Sequence, residues 1–450
     1  MNMQTTLEPP RSVSPAWSAR AKELAFKGRR PFVYGCLLTF SVLYYYRPED
    51  YIPGLQYVPL ARIVAAIGGV ALLVGMMGGN TKIPRAVKFL WLLLFQLALC
   101  IPFALWRGGA FSTVFEKFAK GVIVAMLISL AVVTVKQLRK LLWIQVSAVA
   151  LVTFFSIVLH HTEEGRLAGI QKSILENPND LAINIAISFP LGVAFMLHAR
   201  GFKKAIWVIG LIFMALGVVL TYSRSGLLAF LLSLVVCVWE YGIKGKRHYI
   251  VVITAATLLF GLGAALSTAH YRIRVESIFM GNIEGSGDKG SLQARKELLK
   301  KSVMIALTHP VFGIGPGCFA LVDESWRVAH NTYTELAAEG GFPALILFLM
   351  SIGAALKNIA SVKKSQHYRE DPEFKLFTQA LWAGLVAYLA GAIFASTEYN
   401  LYPYFMVAYT CAMVRIVNQT APNSGLSGEK QNFRKTTYER FGRPQPIYSR

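Results

Sequence analysis

Long apolar stretches alternate with short polar connections through most of this 450-residue chain. About twelve such stretches are present, and about 20 helical residues cross the hydrocarbon core of a bilayer. Because lipid offers no hydrogen-bond partner to an open backbone, we expect each stretch to be a helix. The predicted spans are 32–47, 59–78, 88–106, 117–134, 141–160, 181–198, 204–221, 225–241, 249–268, 342–361, 376–395 and 401–418.

Basic residues are concentrated in every second connection between these stretches. Cytoplasmic connections of membrane proteins carry an excess of Lys and Arg, so the alternation predicts that these connections and both termini are cytoplasmic. The remaining short connections are neutral or acidic and are assigned to the outer face. The basic clusters are Lys82, Arg85 and Lys88; Lys136, Arg139 and Lys140; Arg200, Lys203 and Lys204; Lys244, Lys246 and Arg247; and Lys357, Lys363, Lys364, Arg369 and Lys375.

One connection, residues 269–341, is much longer than the others and is predicted to be a structured loop on the outer face. It carries eight Lys/Arg and eight Asp/Glu, and loops of this length cross membranes largely regardless of charge. Within it, 281–291 is predicted to be flexible and 292–307 to be an amphipathic helix. That helix either rests on the membrane surface or packs on the rest of the loop.

The predicted organisation is an all-α polytopic membrane protein with five parts. These are a cytoplasmic N-terminal segment (1–31), nine spans (32–268), the outer loop (269–341), three further spans (342–418) and a disordered basic cytoplasmic tail (419–450).

The composition agrees with a chain whose surroundings are largely lipid. Hydrophobic residues make up 54%, and charged residues only 16%, against about 25% in soluble domains. The net charge of +22 does not indicate nucleic-acid binding, because the basic residues are scattered between apolar stretches instead of forming one stripe. The five cysteines form no CxxC pair, so neither a disulfide framework nor a zinc site is indicated.

Polar residues at the predicted outer boundary are the candidates for chemistry. Arg224 lies in the polar segment 221–226, where a charge is costly unless it faces protein, water or a ligand; the alternative is an arginine that snorkels to the interface. Arg166 shares that face. His330 precedes a short predicted helix that Asn331 would cap and that Gly340 or Gly341 would end. The helix dipole favours a neutral imidazole, which a general base needs. A loop histidine without a task is the alternative.

Two further segments are explained by local structure. In 177–180, Asp180 or Asn179 is expected to cap the helix of 181–198. The glycine-rich segment 313–317 is expected to be a tight turn, because it lacks the Lys-Ser/Thr of a phosphate-binding loop. Since HExxH, Walker A and DxD motifs are missing from the sequence, we expect no metal and no cofactor. Two arginines suit a diphosphate, and its place at the membrane suggests a lipid-linked substrate.

Over roughly 160–345 the sequence resembles the O-antigen ligase and O-antigen polymerase superfamily of bacterial membrane glycosyltransferases. The segments that carry the resemblance are Thr221–Gly226, His309–Phe319, Ala329–Gly341, and Arg166 with Asn177–Asp180. The resemblance implies a GT-C-like fold of about twelve helices in the bacterial inner membrane, with the active site on the periplasmic face.

The resemblance also implies a metal-independent, inverting glycosyl transfer from a glycan on undecaprenyl diphosphate. Arg166 and Arg224 would bind the diphosphate and stabilise it as it leaves, and His330 would activate the acceptor hydroxyl. We expect Arg295, Tyr222 and Asn331 to contribute to binding of the diphosphate or the glycan.

Three functions remain open from the sequence. As a ligase the protein would transfer the glycan to lipid A–core; as a polymerase it would transfer the glycan to another lipid-linked glycan. A polysaccharide transporter or flippase is the third, although such proteins place polar residues near the bilayer midplane.

Overall fold

The structure is a computed structural model, and it describes residues 15–48, 57–77, 82–163, 165–169, 177–247, 288–323 and 326–420. The predicted span 249–268, the predicted flexible segment 281–291 apart from residues 288–291, and all of the predicted tail beyond Thr420 lie outside the described residues.

The described part of the chain is almost entirely helical. The helices are α1 Pro15–Tyr46, α2 Leu60–Met77, α3 Arg85–Cys100, α4 Arg107–Phe111, α5 Ala119–Ala131, α6 Val135–Val158, α7 Pro178–His198, α8 Phe202–Leu220, α9 Arg224–Cys237, α10 Asp288–Thr308, α11 Thr332–Lys363, α12 Gln366–Glu370, α13 Pro372–Gly391 and α14 Tyr402–Thr420. Short 3₁₀ segments occupy Ile101–Phe103 and Phe319–Val322, and π-helical segments occupy Ser112–Phe118 and Val238–Ile243. A two-residue hairpin pairs β1 Thr162–Glu163 with β2 Arg166–Leu167.

Every predicted span except 249–268 overlaps a helix of the structure. Within the described residues, 6 helices are long and apolar enough to cross a membrane by length and composition. They are Arg85–Phe103, Val135–Val158, Pro178–His198, Phe202–Leu220, Arg224–Ile243 and Thr332–Lys363. The fold class is therefore that of an all-α membrane protein, and the predicted number of about twelve spans stays a prediction.

Three predicted helix ends are wrong. The first helix begins at Pro15 rather than near 32, because its polar first half is also rich in helix-forming residues. The cap of α7 is Asn177, whose side chain accepts from the N–H of Asn179 at 2.8 Å. Pro178 has no N–H to offer and favours the first helical position, so the cap must precede it. Finally, α11 does not stop at Gly340 or Gly341 but bends at Gly341 and continues to Lys363.

The bundle has two chemically different ends. Arg139 pairs with Glu373 at 3.2 Å, and the buried Glu240 pairs with Lys363 at 2.8 Å and with Lys244 at 3.5 Å. Three of the five predicted cytoplasmic clusters therefore meet at one end. The opposite end, where α1 and α8 finish and α2, α7, α9 and α11 begin, is called the site end below. Helix α7 is buried along most of its length and contacts α6, α8, α9 and α13. Helix α7, which begins at the site end, is therefore held in place by the core of the bundle.

The outer segment between α10 and α11 is tightly joined to α11. Gly313, Gly315 and Gly341 have positive φ angles, and a Cβ on Gly313 would lie 2.3 Å from the backbone of Glu339. The N–H of Phe342 donates to the carbonyl of Pro310 at 2.8 Å. Residues 310–319 are therefore a close-packed turn, as expected, and they lie against the first turns of α11.

Helix α10 divides the predicted apolar face into two sides. Leu298 is buried, whereas Leu299, Val303 and Leu307 are exposed, and α10 contacts α11. One side of the helix therefore packs on the protein, which was one of the two predicted alternatives; the other was contact with the membrane surface. Contact of the exposed side with the membrane surface stays a prediction.

Candidate active site

Arg166 is held at the site end by the hairpin that follows α6. Its Nε donates to the carbonyl of Thr221 at 2.9 Å, and its Nη2 donates to Asn179 Oδ1 at 2.9 Å. The arginine thereby bridges the turn between α8 and α9 and the first turn of α7. A guanidinium fixed by two hydrogen bonds is positioned in advance for an anionic ligand.

The turn between α8 and α9 brings Arg224 to the same place. Ser223 caps α9 by accepting from the N–H of Gly226 at 3.1 Å, and its hydroxyl donates to Asn179 Oδ1 at 2.8 Å. Arg224 is therefore the first residue of α9 and directly follows a residue that shares an acceptor with Arg166. Tyr222, also in this turn, has a φ of +48° and is half-buried. The two predicted phosphate-binding arginines belong to one polar cluster.

His330 lies at the start of α11 in a left-handed backbone conformation with a φ of +54°. Its backbone N–H donates to Ser396 Oγ at 3.1 Å, which ties it to the segment between α13 and α14. Burial, which is the largest cause, and the charges of Arg295, Arg327 and Arg166 together lower the pKa of the imidazole to about 4. The structure thus brings His330, Arg166 and Arg295 into one electrostatic neighbourhood.

The neutral imidazole expected from the helix dipole has a different main cause. Burial and the three neighbouring guanidinium groups disfavour the positively charged imidazolium form of His330. Arg327 was not anticipated as part of this group; its Nε donates to Asp323 Oδ2 at 2.9 Å. Asn331 caps α11, since its Oδ1 accepts from the N–H groups of Tyr333 and Thr334 at 3.0 Å each. Only the amide N–H₂ of Asn331 remains for a ligand.

Two glutamates below His330 were missed by the sequence analysis. Glu335 accepts from the N–H of Ala329 at 3.0 Å and from the hydroxyl of Ser396, which also receives the His330 N–H. Glu339 accepts from the N–H groups of Gly317 and Phe319 at 2.7 and 2.8 Å. Their spacing of four residues on one helix was the available signal. They connect His330 and the glycine-rich turn to the interior of the protein.

The glycine-rich turn therefore serves a carboxylate of its own chain. Gly317 directs its N–H at Glu339, and the N–H of Gly315 donates to the Glu339 carbonyl at 3.0 Å. Tyr399 completes the set by donating to Glu339 Oε2 at 2.6 Å. Glu398 is buried nearby, and burial together with the charges of Glu335 and Glu339 holds the pKa of its carboxyl well above the usual range. Among the described residues, no group of three or more His, Cys, Asp or Glu side chains is arranged to hold a metal ion.

Residues 209–349 match the family model of O-antigen ligase. This segment of the chain is similar to O-antigen ligases. The match confirms the resemblance to the ligase and polymerase superfamily that the sequence indicated. The matched segment begins within α8, contains Arg224, Arg295 and His330, and ends within α11. Arg166 lies outside the matched segment and contacts it through its hydrogen bond to Thr221. No curated protein matches the chain significantly.

Proposed function

We propose that this protein transfers a glycan from undecaprenyl diphosphate to an acceptor hydroxyl, by inversion and without a metal. The acceptor is lipid A–core in a ligase reaction and a lipid-linked glycan in a polymerase reaction. The observation that carries the proposal is the joint position of Arg166, the Arg224 turn and His330 at one end of the bundle. The match to the O-antigen ligase family model supports transfer of this type and does not distinguish the ligase reaction from the polymerase reaction.

The bonds and charges of the transfer fit these residues. The acceptor hydroxyl gives its proton to His330, and its oxygen forms a bond to the anomeric carbon. The bond from that carbon to the phosphate oxygen breaks, and undecaprenyl diphosphate leaves with the electron pair. Arg166 and Arg224 stabilise the negative charge that the diphosphate gains, because preplaced cations act most strongly where charge develops. Arg295, Tyr222 and the Asn331 amide would contact the diphosphate or the glycan.

Donor binding also prepares the base in this scheme. A base with a pKa of about 4 accepts a proton reluctantly at neutral pH. A bound diphosphate offsets the positive charge of Arg166 and Arg295, and a nearby negative charge raises the pKa of an imidazole. His330 would therefore become a competent base only when the donor is in place.

The location of the reaction follows from the two ends of the bundle. The basic clusters gather at the end opposite to the site, and cytoplasmic segments are rich in Lys and Arg. This supports a periplasmic active site in the inner membrane, with both termini in the cytoplasm.

The test is a transfer assay with purified variants reconstituted in vesicles. We expect His330→Ala and Arg224→Ala to lower consumption of the lipid-linked donor by about 100-fold or more, the size typical of a lost general base or charge stabiliser. His309→Ala is the matched control for the histidine, because His309 is exposed in the same outer segment. Arg200→Ala, an exposed arginine at the opposite end, is the control for the arginine.

A transporter or flippase gives a different result in the same vesicles. Such a protein would keep its activity, measured as transbilayer movement of the lipid-linked glycan, after loss of His330. Full donor consumption by both site variants would contradict the transferase mechanism.

A further inference from the structure

A cavity of about 880 Å³ lies beside the candidate active site, between α1, α2, α5 and the segment 399–401. Its walls are formed largely by apolar side chains. This size lies within the range of small-molecule sites, which are mostly apolar with a few placed polar groups. Arg166, Arg224 and His330 are not among the residues that line the cavity.

The charges of the cavity are grouped at the site end. Four basic residues line it against one acidic residue, Glu116. Arg47 directly follows α1 and Arg62 lies in the first turn of α2, while the two lysines stand where α5 begins. The charges of Arg62 and Glu116 act on Lys120, so these side chains are neighbours. The basic residues are Arg47, Arg62, Lys117 and Lys120.

The apolar part of the cavity extends along α2 toward the middle of the bundle. From Arg62 to Leu73 the helix rises by about 16 Å, which is about half of the roughly 30 Å hydrocarbon core. Leu72 is buried, whereas Val70 and Leu73 are 60% and 55% exposed, so this wall faces outward. A cationic end at the membrane boundary above an apolar groove one leaflet deep has the dimensions of a single anionic lipid.

The cavity shares a wall with the candidate active site. Tyr399 lines the cavity and donates to Glu339 Oε2, below His330. Asn400 also lines it and donates to Asp180 Oδ1 at 3.3 Å, next to the Asn179 that holds Arg166. Residues 399–400 therefore lie between this cavity and the Arg166 and Arg224 cluster.

We infer that this cavity binds the lipid part of the acceptor, a glycolipid with a phosphorylated headgroup. The inference rests on the proposed function, in which the donor diphosphate occupies the Arg166 and Arg224 cluster. A transfer between two lipids needs a second lipid site on the same membrane face. The basic end would hold the acceptor's phosphate groups, and the apolar groove would hold one or two of its acyl chains, so that the sugar hydroxyl extends toward His330.

Binding is measured in nanodiscs of phosphatidylcholine doped with lipid A–core, with bound lipid counted by native mass spectrometry. We expect the double variant Arg62→Gln/Lys120→Gln to bind lipid A–core about 30-fold more weakly, since each of the two cations near a membrane surface contributes roughly 1 kcal/mol toward an anionic lipid. Lipid A–core from which the phosphates have been removed should bind the unaltered protein with a similar loss.

A second variant tests the apolar groove without changing charge. A Cβ on Gly69 would meet only Ile123 Cγ2, at 3.6 Å, so Gly69→Phe should fold and fill the groove. We expect it to lower binding of lipid A–core at least tenfold. Gly353→Phe is the matched control, because nothing lies within 4 Å of a Cβ at Gly353 in α11.

Three results would overturn the inference. The first is that both cavity variants bind lipid A–core as strongly as the unaltered protein. The second is that phosphatidylglycerol competes with lipid A–core equally well for binding. The third is that the cavity variants lose binding of the undecaprenyl-diphosphate-linked glycan and keep binding of lipid A–core. The His330→Ala variant separates this inference from the proposed function. If this variant binds both lipids and still transfers the glycan, the proposed role of His330 is contradicted. The assignment of the cavity is tested separately, by the lipid binding of the two cavity variants.

Discussion

At the residue scale, one oxygen atom organises the cationic cluster. Asn179 Oδ1 accepts from Arg166 Nη2 and from Ser223 Oγ, which belong to segments that are far apart in the sequence. A hydrogen bond to a charged group contributes about 1.5–3 kcal/mol, more than one between neutral groups. The relative position of Arg166 and the Arg224 turn therefore depends on this amide.

The pKa of His330 leads to a prediction about the pH dependence of the reaction. Protonated His330 is inactive as a base, so activity should fall as the pH drops through its pKa. The acid limb of kcat/KM reports the free protein and should lie near pH 4, and the acid limb of kcat reports the donor complex. We expect the limb of kcat to lie higher, by at least about one pH unit, because the bound diphosphate offsets the arginines.

The measurement is a pH profile of donor consumption from pH 3.5 to 8, with unfolding monitored in parallel. Arg295→Gln removes one of the charges that depress the pKa, so its kcat/KM limb should move to higher pH. Identical acid limbs for kcat/KM and kcat would show that the donor does not tune the base.

At the element scale, the helices follow from local pattern and the site contacts do not. The apolar stretches place α2, α5 and α8 within a few residues of their observed positions. By contrast, Glu339 receives its partners from Gly317 and Tyr399, 22 and 60 residues away in the chain. The four-residue spacing of the two glutamates places them on one face of α11, but no periodicity identifies partners so distant in the sequence, so their role was missed.

The predicted arginines and histidine were recognisable for a physical reason. Arg224 was selected because a charge is costly at a membrane boundary unless it faces protein, water or a ligand. Arg166 was selected because it shares that face, and His330 because it precedes a predicted helix N-terminus. Arg327 and the segment 396–400 carried no such signal, because they join the site only through tertiary contacts. The split face of α10 was missed for the same reason, since only packing on α11 separates Leu298 from its apolar neighbours.

The contact of α9 with α7 is close enough to give a stability prediction. A Cβ on Gly226 would lie 2.1 Å from Ala182 Cβ, so the helices meet at this glycine. We expect Gly226→Val to lower the free energy of unfolding by about 1–3 kcal/mol through overpacking. Thermal melting in detergent measures the effect, with Gly353→Val as the control in open space.

The partner residue offers a direct check on that explanation. Ala182→Gly removes the obstructing methyl group, so the pair Gly226→Ala/Ala182→Gly should melt near the unaltered protein, and Gly226→Ala alone should melt lower. If Gly226→Val and Gly353→Val melt at the same temperature, the close contact has no bearing on stability.

At the scale of the whole molecule, the two ends differ in charge and in chemistry. Cations pair with Glu240 and Glu373 at one end, while the candidate site and the lipid-sized cavity lie at the other. Under the positive-inside rule, we expect the basic end to lie in the cytoplasm.

This orientation predicts which residues can be reached from outside a cell. His309 and Arg369 are exposed at opposite ends, and four of the five cysteines are buried with Cys36 half-buried. In spheroplasts, a maleimide that cannot cross membranes should label His309→Cys and leave Arg369→Cys unlabelled until the cells are lysed. The unaltered protein measures background labelling, and the reverse pattern would place the site in the cytoplasm.

The fixed turn at 310–319 has a consequence for how substrates arrive. Gly341 would clash with the Val311 carbonyl if it carried a Cβ, at 2.3 Å, and Phe342 is bonded to Pro310. Because residues 310–319 pack closely on the bend of α11, we expect this turn to stay in place when substrates bind. Substrates anchored in the bilayer would then approach His330 sideways, by two-dimensional diffusion within the leaflet, and the encounter rate would depend on their density in the membrane and not on their concentration in the surrounding water.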